Sequence, residues 1–149
     1  MPDRKVHIMA GIISGTAVAG YRARNLAAED LLPELAGGCF GGLIGGIAPD
    51  IFEPAINSWH RSVAHSGASC FASASLLQTC ATLQQQCRSK AQCHTQLKLI
   101  SQDDWTRFWH AVMALVWAFL SGFIVGAPAG FISHVILDSA SPRGIPIFA

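Results

Sequence analysis

The sequence predicts an all-α protein, a small polytopic membrane bundle of about three to five apolar helices. Of its 149 residues, 51% are hydrophobic and only 13% are charged, against roughly a quarter charged in soluble domains, and the mean hydropathy is +0.38. The length corresponds to a single domain, residues 1–149. The charges are also unevenly placed, because four stretches contain no Asp, Glu, Lys or Arg: 6–21, 35–49, 62–87 and 108–137.

The net charge and the apolar content each exclude one class of protein. With 10 Lys and Arg residues against 9 Asp and Glu residues, the net charge is +1. This charge is too small to attract a polyanion over a distance, so no long nucleic acid is expected as a partner. The apolar content is too high for an intrinsically disordered chain. A membrane protein or a very apolar soluble helical domain remains.

The first two charge-free stretches predict helices that pack closely. Residues 5–21 and 35–49 are rich in Gly, Ala and Ser, and glycines four residues apart let helix backbones approach each other. Plain flexibility of buried segments is the alternative. No clear cleavage site follows the charged start, so residues 5–21 are expected to be retained structure and not a secretory signal. The glycines with this spacing are Gly11, Gly15, Gly38, Gly42 and Gly46.

The last charge-free stretch predicts a membrane span. Residues 108–126 meet the requirement of about 20 apolar residues for crossing a bilayer. The run from Gly126 to Gly130 contains Pro128 and should kink or break this helix, because proline lacks an N–H donor and its ring crowds the preceding turn. A second helix is then expected over about 129–141.

A polar segment at residues 83–107 is helix-compatible and predicts a solvent-facing helical insertion. Cys87, Cys93 and His94 lie within it, but their spacing matches no standard zinc site. A disulfide between the two cysteines would require an oxidising compartment, whereas free thiols are expected on a cytoplasmic face. The sequence leaves both alternatives open.

The sequence contains three short motifs with candidate functional residues. The first two lie soon after the second charge-free stretch, 35–49. Asp50 and Glu53 are three residues apart, which places them on one helical face where they could share an ion; a helix cap is the alternative. His60 and His65 lie on either side of Arg61 in the second motif. An ordinary loop is the alternative interpretation of that motif.

The third motif places an imidazole and a carboxylate on an apolar helix. His134 and Asp138 are four residues apart and therefore share a helical face. Such a pair is costly in apolar surroundings unless it binds something, although a hydrogen bond between the two side chains would also satisfy it. His7, at the head of the first apolar helix, adds another imidazole. Ser66 is expected to cap a helix, because no G-x-S-x-G pattern marks it as a nucleophile.

Imidazole and carboxylate groups without thiolates are the ligand set of a catalytic metal centre, most often zinc, with manganese or iron as alternatives. Glu53 is then a further ligand or the general base. Arg61 would stabilise developing anionic charge, or form an ion pair with Glu53 or Asp50. His94 and His110 are left out of the site, as a residue of the polar segment and a core or interfacial residue. The predicted ligands are His7, Asp50, His60, His65, His134 and Asp138.

The order of these motifs resembles that of a known family, the YdjM-like, LexA-binding, inner membrane-associated metal-dependent hydrolases. Phe52 stands where the common pattern has a second Asp, which leaves open whether Glu53 replaces that ligand. The matching elements are His7-x3-Gly11, Pro49-Asp50 after a Gly-rich segment, His60-Arg61 with His65-Ser66, and Ser133-His134-x3-Asp138 followed by Ser141-Pro142 and Gly144-x-Pro146.

The resemblance implies a multi-pass protein of the bacterial inner membrane, related to the all-helical zinc phospholipase C and zinc nuclease superfamily, with a di- or trinuclear zinc site that cuts phosphoesters. The expected function is a membrane-bound metal-dependent hydrolase that cleaves a phosphoester or other ester with a metal-activated water. Expected partners are membrane lipids and a small-molecule or lipid ester substrate, and a homo-oligomer is compatible with the sequence. The alternative is a non-catalytic integral membrane protein that binds a metal or ion, such as a transporter subunit or an anchor.

Overall fold

Four α-helices form the structure, a computed structural model that describes residues 3–52 and 66–140. These described residues contain no strand, which confirms the predicted all-helical bundle. In chain order the helices are α1 (Arg4–Ala23), α2 (Ala28–Phe52), α3 (Gly67–Ile100) and α4 (Asp104–Ser139).

Helix α2 packs on both α1 and α4, and it contacts α1 through glycines. Gly11 of α1 meets Gly42 and Gly46, and Gly15 meets Gly38 and Gly42, so the two helices run antiparallel. A Cβ at Gly42 would overlap the carbonyl oxygen of Gly11. The predicted close packing of the small residues is therefore confirmed, because the two backbones touch along this stripe.

A second glycine stripe on α2 faces α4. Gly37, Gly41 and Gly45 each lie against the α4 backbone, and a Cβ on any of them would overlap it. Residue numbers increase together along the contact, so α2 and α4 run parallel. Three glycines of α4 pack on α2 in the same way, Gly122 on Glu34, Gly126 on Gly38 and Gly130 on Gly42.

Helix α4 is continuous, which corrects one prediction. The predicted span at 108–126 lies inside it. A kink or a break was predicted at Gly126–Gly130, and the break and the separate helix at 129–141 are wrong, because the helix continues through Pro128 to Ser139. The kink stays a prediction. A proline in a helix removes one hydrogen bond, and neighbouring helices make this tolerable in apolar bundles. Here the residues around Pro128 are clamped against the backbone of α2.

The polar segment 83–107 forms the second half of α3, a short connection and the start of α4. It is helical as predicted, but only part of it faces solvent, because Gln84, Cys87 and Ala91 are buried. All five cysteines are free thiols. The disulfide alternative is therefore not realised, and buried Cys87 and exposed Cys93 lie on different sides of α3.

Helix α3 runs antiparallel to α4 and begins at the predicted cap. Ser66 accepts a hydrogen bond from the Ser69 backbone N–H at 3.2 Å, as expected for a capping serine. Towards the other end of α3, Lys90 lies over the ring of Trp117, 4.1 Å from its centroid. The helix directions follow from these contacts and place the first residues of α1 and α3 and the last residues of α2 and α4 together. We call this the His7 end of the bundle.

Two of the helices could cross a membrane. Helices α2 and α4 are long enough and apolar enough to span a bilayer by length and composition. At 36 residues, α4 is about 54 Å long, well beyond the roughly 30 Å of a hydrocarbon core. Part of α4 therefore either extends outside the apolar layer or tilts strongly within it.

Candidate metal centre

Four of the predicted site residues meet at the His7 end of the bundle. His7 lies on the first turn of α1, Asp50 on the last turn of α2, and His134 and Asp138 on the last turns of α4. They converge because α1 is antiparallel to α2 while α4 is parallel to it. We call these four residues the His–Asp cluster.

Three contacts of equal length join the cluster. Asp138 contacts the Nε2 edge of both imidazoles, with Oδ1 3.5 Å from His7 Nε2 and Oδ2 3.5 Å from His134 Nε2. Asp50 Oδ1 also lies 3.5 Å from His134 Nε2. One ligand atom from each of His7, His134 and Asp138 can be chosen so that all three lie within 4.8 Å of one another.

The backbone of α2 fixes the tautomer of His134. The Nδ1 atom donates a hydrogen bond to the carbonyl oxygen of Gly46 at 2.6 Å, so a neutral imidazole carries its lone pair on Nε2. That lone pair points to the side where Asp50 and Asp138 lie. Histidines that bind metals are commonly oriented by such a hydrogen bond from their other nitrogen.

His7 is positioned by stacking. Its ring lies on the ring of His134, with centroids 3.9 Å apart and planes inclined by 22°. Within the described residues, His7 Nδ1 has no hydrogen-bond partner. A metal bound to His7 Nε2 would keep the ring proton on Nδ1, and no described residue accepts a hydrogen bond from Nδ1.

The cluster is buried towards the bundle and open at Asp50. His7, His134 and Asp138 are at most 3% exposed, whereas the Asp50 side chain is 31% exposed. The 3.5 Å contacts are longer than N–H···O hydrogen bonds of about 2.7–3.2 Å. Each contact taken alone matches the separation of about 3.3–3.6 Å between two ligands of a tetrahedral zinc ion, and the three buried ligand atoms lie within 4.8 Å of one another. Donor type, spacing and an open side all fit a divalent metal.

The other predicted site residues lie outside the described residues. Glu53, His60, Arg61 and His65 belong to segment 53–65, which lies in the sequence between α2 and Ser66. Their roles as ligands, base and anion-stabilising group therefore stay predictions. The proposed sharing of an ion by Asp50 and Glu53 stays a prediction for the same reason.

Two polar contacts were not predicted. The carbonyl of Gly46 positions His134, but it is a backbone group that no residue type marks. Glu34 of α2 is buried and binds Arg88 of α3, with Arg88 Nε 2.9 Å from Oε2. A signal for this pair was present, because Glu34 and Arg88 are the charges next to charge-free stretches 35–49 and 62–87.

Comparison with known proteins gives one match. A family model described as YdjM inner membrane protein matches residues 1–149. The match includes the polar segment 83–107, which is the one part of the chain that the motif resemblance leaves out. No curated protein and no solved structure matches the chain.

Proposed function

The chain belongs to the YdjM inner membrane protein family, and we propose that it is a multi-pass inner membrane protein that uses the His–Asp cluster as the metal site of a hydrolase. The observation that carries the proposal is the convergence of two imidazoles and two carboxylates from three helices, at 3.5 Å contacts. Nitrogen and oxygen donors at this spacing favour zinc, and manganese and iron accept the same donors.

The described residues have distinct roles in this proposal. His7, His134 and Asp138 would bind the metal from the buried side, and Asp50 would bind it at the edge. The partly exposed side at Asp50 leaves room for water or substrate, as catalytic metal sites require. His60 and His65 would complete the ligand set, as predicted from the sequence.

A bound divalent metal supplies a Lewis acid that activates water and polarises an ester or phosphoryl oxygen. In hydrolysis, the water oxygen forms a bond to phosphorus or the acyl carbon, the ester bond to the alcohol oxygen breaks, and the alcohol leaves with a proton. The Gly46 carbonyl keeps the lone pair of His134 on Nε2. Glu53 would accept the proton of the water and Arg61 would stabilise the anionic charge.

Two implications of the motif resemblance are not needed by the proposal and stay predictions. One is a relation to the zinc phospholipase C and zinc nuclease superfamily, with more than one zinc ion. The other is the association with LexA. The number of metal ions per purified chain would test the first, since a multinuclear site would contain two or three ions per chain.

The test is to purify the full chain in detergent and compare it with two histidine variants on the same helix. His134→Ala removes a cluster ligand. His110→Ala is the matched control, because His110 pairs with His94 of α3 at 2.9 Å, far along α4 from the cluster. We expect metal in the wild type and in H110A, none in H134A, and turnover of phosphodiester, phospholipid or carboxyl-ester substrates that a chelator abolishes.

The second candidate function is a non-catalytic ion-binding or transport protein. The almost complete burial of His134 and Asp138 favours it, since buried ionisable groups in membrane helices often lie on ion paths. Stoichiometric metal without chelator-sensitive turnover would support this candidate over the hydrolase. A protein that contains no metal, and whose folding and stability do not change in H134A, would contradict both.

A further inference from the structure

An apolar groove opens on the side of the bundle between α2, α3 and α4. Its volume is about 570 Å³, within the range of about 300–1,000 Å³ that is typical of small-molecule sites. The described residues that line it include no charged side chain, and the Ser73 hydroxyl and the Cys80 thiol are their most polar side-chain groups. Ile44, Leu76 and Leu83 line it and are each about half exposed.

The floor of the groove adjoins the His–Asp cluster. Gly45 packs there against the backbone of Ala127 and Phe131. The next residue, Gly46, carries the carbonyl that binds His134. Phe131 and His134 are three residues apart on α4, about 4.5 Å along the helix axis. A molecule that fills the groove therefore reaches within one helical turn of the cluster.

The groove lies along two helices that could span a bilayer. Two of its walls, α2 and α4, are the helices that could span a bilayer, and the family is one of inner membrane proteins. From Phe123 to Phe131 it extends about 12 Å along α4. One leaflet contributes about 15 Å, half of a hydrocarbon core of roughly 30 Å. The length and the apolar lining fit one acyl chain of one leaflet.

We propose that the groove binds an acyl chain of a membrane phospholipid and that this lipid is the substrate whose ester or phosphoester bond reaches the His–Asp cluster. The second half of this inference rests on the proposed function, whereas acyl-chain binding does not. The headgroup end of the lipid lies towards Asp50, the exposed side of the cluster. Burial of the acyl-chain methylene groups in the groove contributes binding affinity, and the position of the cluster determines which ester or phosphoester bond is cleaved.

The binding test uses two serine variants on α3. Ser73→Phe places a phenyl ring in the groove, because Ser73 lines it. Ser75→Phe is the matched control, because Ser75 is exposed and its hydroxyl donates only to the Phe71 carbonyl of its own helix. Wild type and variants are reconstituted in phosphatidylethanolamine–phosphatidylglycerol vesicles that contain phosphatidylglycerol with a diazirine in one acyl chain.

After illumination, mass spectrometry locates the labelled residues. We expect labels concentrated on the groove-lining residues, and a fall of about tenfold in S73F, because displacing two methylene groups from an apolar site lowers binding by roughly that factor. S75F should be labelled like the wild type. Labels spread evenly over outward-facing positions such as Ile13 and Ile136, or an equal fall in both variants, would overturn the inference. So would labelling of the vesicle-embedded chain that leaves the groove-lining residues unlabelled.

Metal content and kinetics separate this inference from the proposed function. If turnover is metal-dependent, S73F should raise KM for a long-chain phospholipid while leaving kcat and KM for a short soluble ester unchanged. Metal-dependent turnover with uniform labelling would leave the hydrolase and refute the groove. Groove labelling in a protein that binds no metal would leave the acyl-chain site and refute the hydrolase, and with it the substrate half of the inference.

Discussion

Glu34 is a fully buried acid at the opposite end of α2 from the cluster, and its partners come from α3. Arg88 donates from two of its guanidinium nitrogens and Gln84 donates at 2.6 Å. Arg22 of α1 donates in turn to Gln84. Buried charges are tolerated when they are paired and hydrogen-bonded in this way. The network connects three helices through four side chains.

Removing the cation from this network should be severe. Arg88→Ala leaves the Glu34 carboxylate buried without its positive partner, and breaking a buried ion pair costs about 3–5 kcal/mol. Arg107→Ala is the control, because Arg107 pairs with Asp104, whose side chain is 96% exposed, and exposed pairs contribute only about 0–1 kcal/mol. The free energy of unfolding in detergent is the measurement. Equal stability of the two variants would show that the network does not support the fold.

At the cluster, residue type predicted much of the site. His7, Asp50, His134 and Asp138 were all identifiable, because polar side chains in or beside charge-free stretches are rare in this chain. The spacing of His134 and Asp138 also predicted their shared helical face. The contribution of Gly46 was not predictable, because its carbonyl acts through the register of α2 against α4, a tertiary property. The stacking of His7 on His134 was hidden for the same reason.

At the scale of the element, α2 is unusual because glycines occupy two of its faces. Each glycine in a helix costs about 1 kcal/mol relative to alanine. Close backbone contact offsets that cost, since dispersion and weak Cα–H···O interactions increase as helices approach. Gly42 makes such close backbone contacts on both sides, because it packs on Gly11 and Gly15 of α1 and on Gly130 of α4.

Gly42→Ala should therefore destabilise the bundle despite its higher helix propensity. The new Cβ would overlap backbone atoms of Gly11 and Gly15, and overpacking of this kind costs about 1–3 kcal/mol. Gly20→Ala is the matched control, because its Cβ would meet only the end of the Leu35 side chain, at 3.1 Å. It should be neutral or gain up to about 1 kcal/mol. Thermal unfolding in detergent compares them, and a stabilised G42A would contradict the packing argument.

The distribution of charges predicted the elements better than their ends. Charge-free stretches located the apolar helices, and one predicted stripe of glycines proved to be a contact. The predicted break at Pro128 is wrong, because the helix propensity of proline takes no account of packing against the neighbouring helix. The side of α2 that carries Gly37, Gly41 and Gly45 packs on the same α4 segment, and this packing keeps α4 helical through the proline.

At the scale of the whole molecule, composition predicted the class and could not predict the direction of the helices. An apolar pattern is the same for a helix that runs up or down, so the parallel contact of α2 with α4 had no sequence signal. This contact constrains the chain between them. If α2 and α4 cross the bilayer in the same direction, α3 has to return the chain along α4, as its antiparallel packing provides.

This arrangement makes a prediction about the loops. Single cysteines at Asn25, between α1 and α2, and at Gln102, between α3 and α4, should be labelled from the same side of sealed membrane vesicles by an impermeant maleimide. A cysteine at Asp3 should be labelled only from the other side. The variants are made in a chain that lacks its five native cysteines, and permeabilised vesicles control for reactivity. Labelling of Asn25 and Gln102 from opposite sides would exclude parallel crossing.

The parallel contact also determines which compartment supplies the site. The starts of α1 and α3 and the ends of α2 and α4 lie at the His7 end, beside the cluster. If the cluster binds a metal as proposed, it would exchange that metal with the aqueous compartment on one side of the membrane, whose free metal concentration would decide which ion is bound. Any hydrolysis product that is soluble in water would return to that same compartment, so the protein would act on one leaflet without moving material across the membrane.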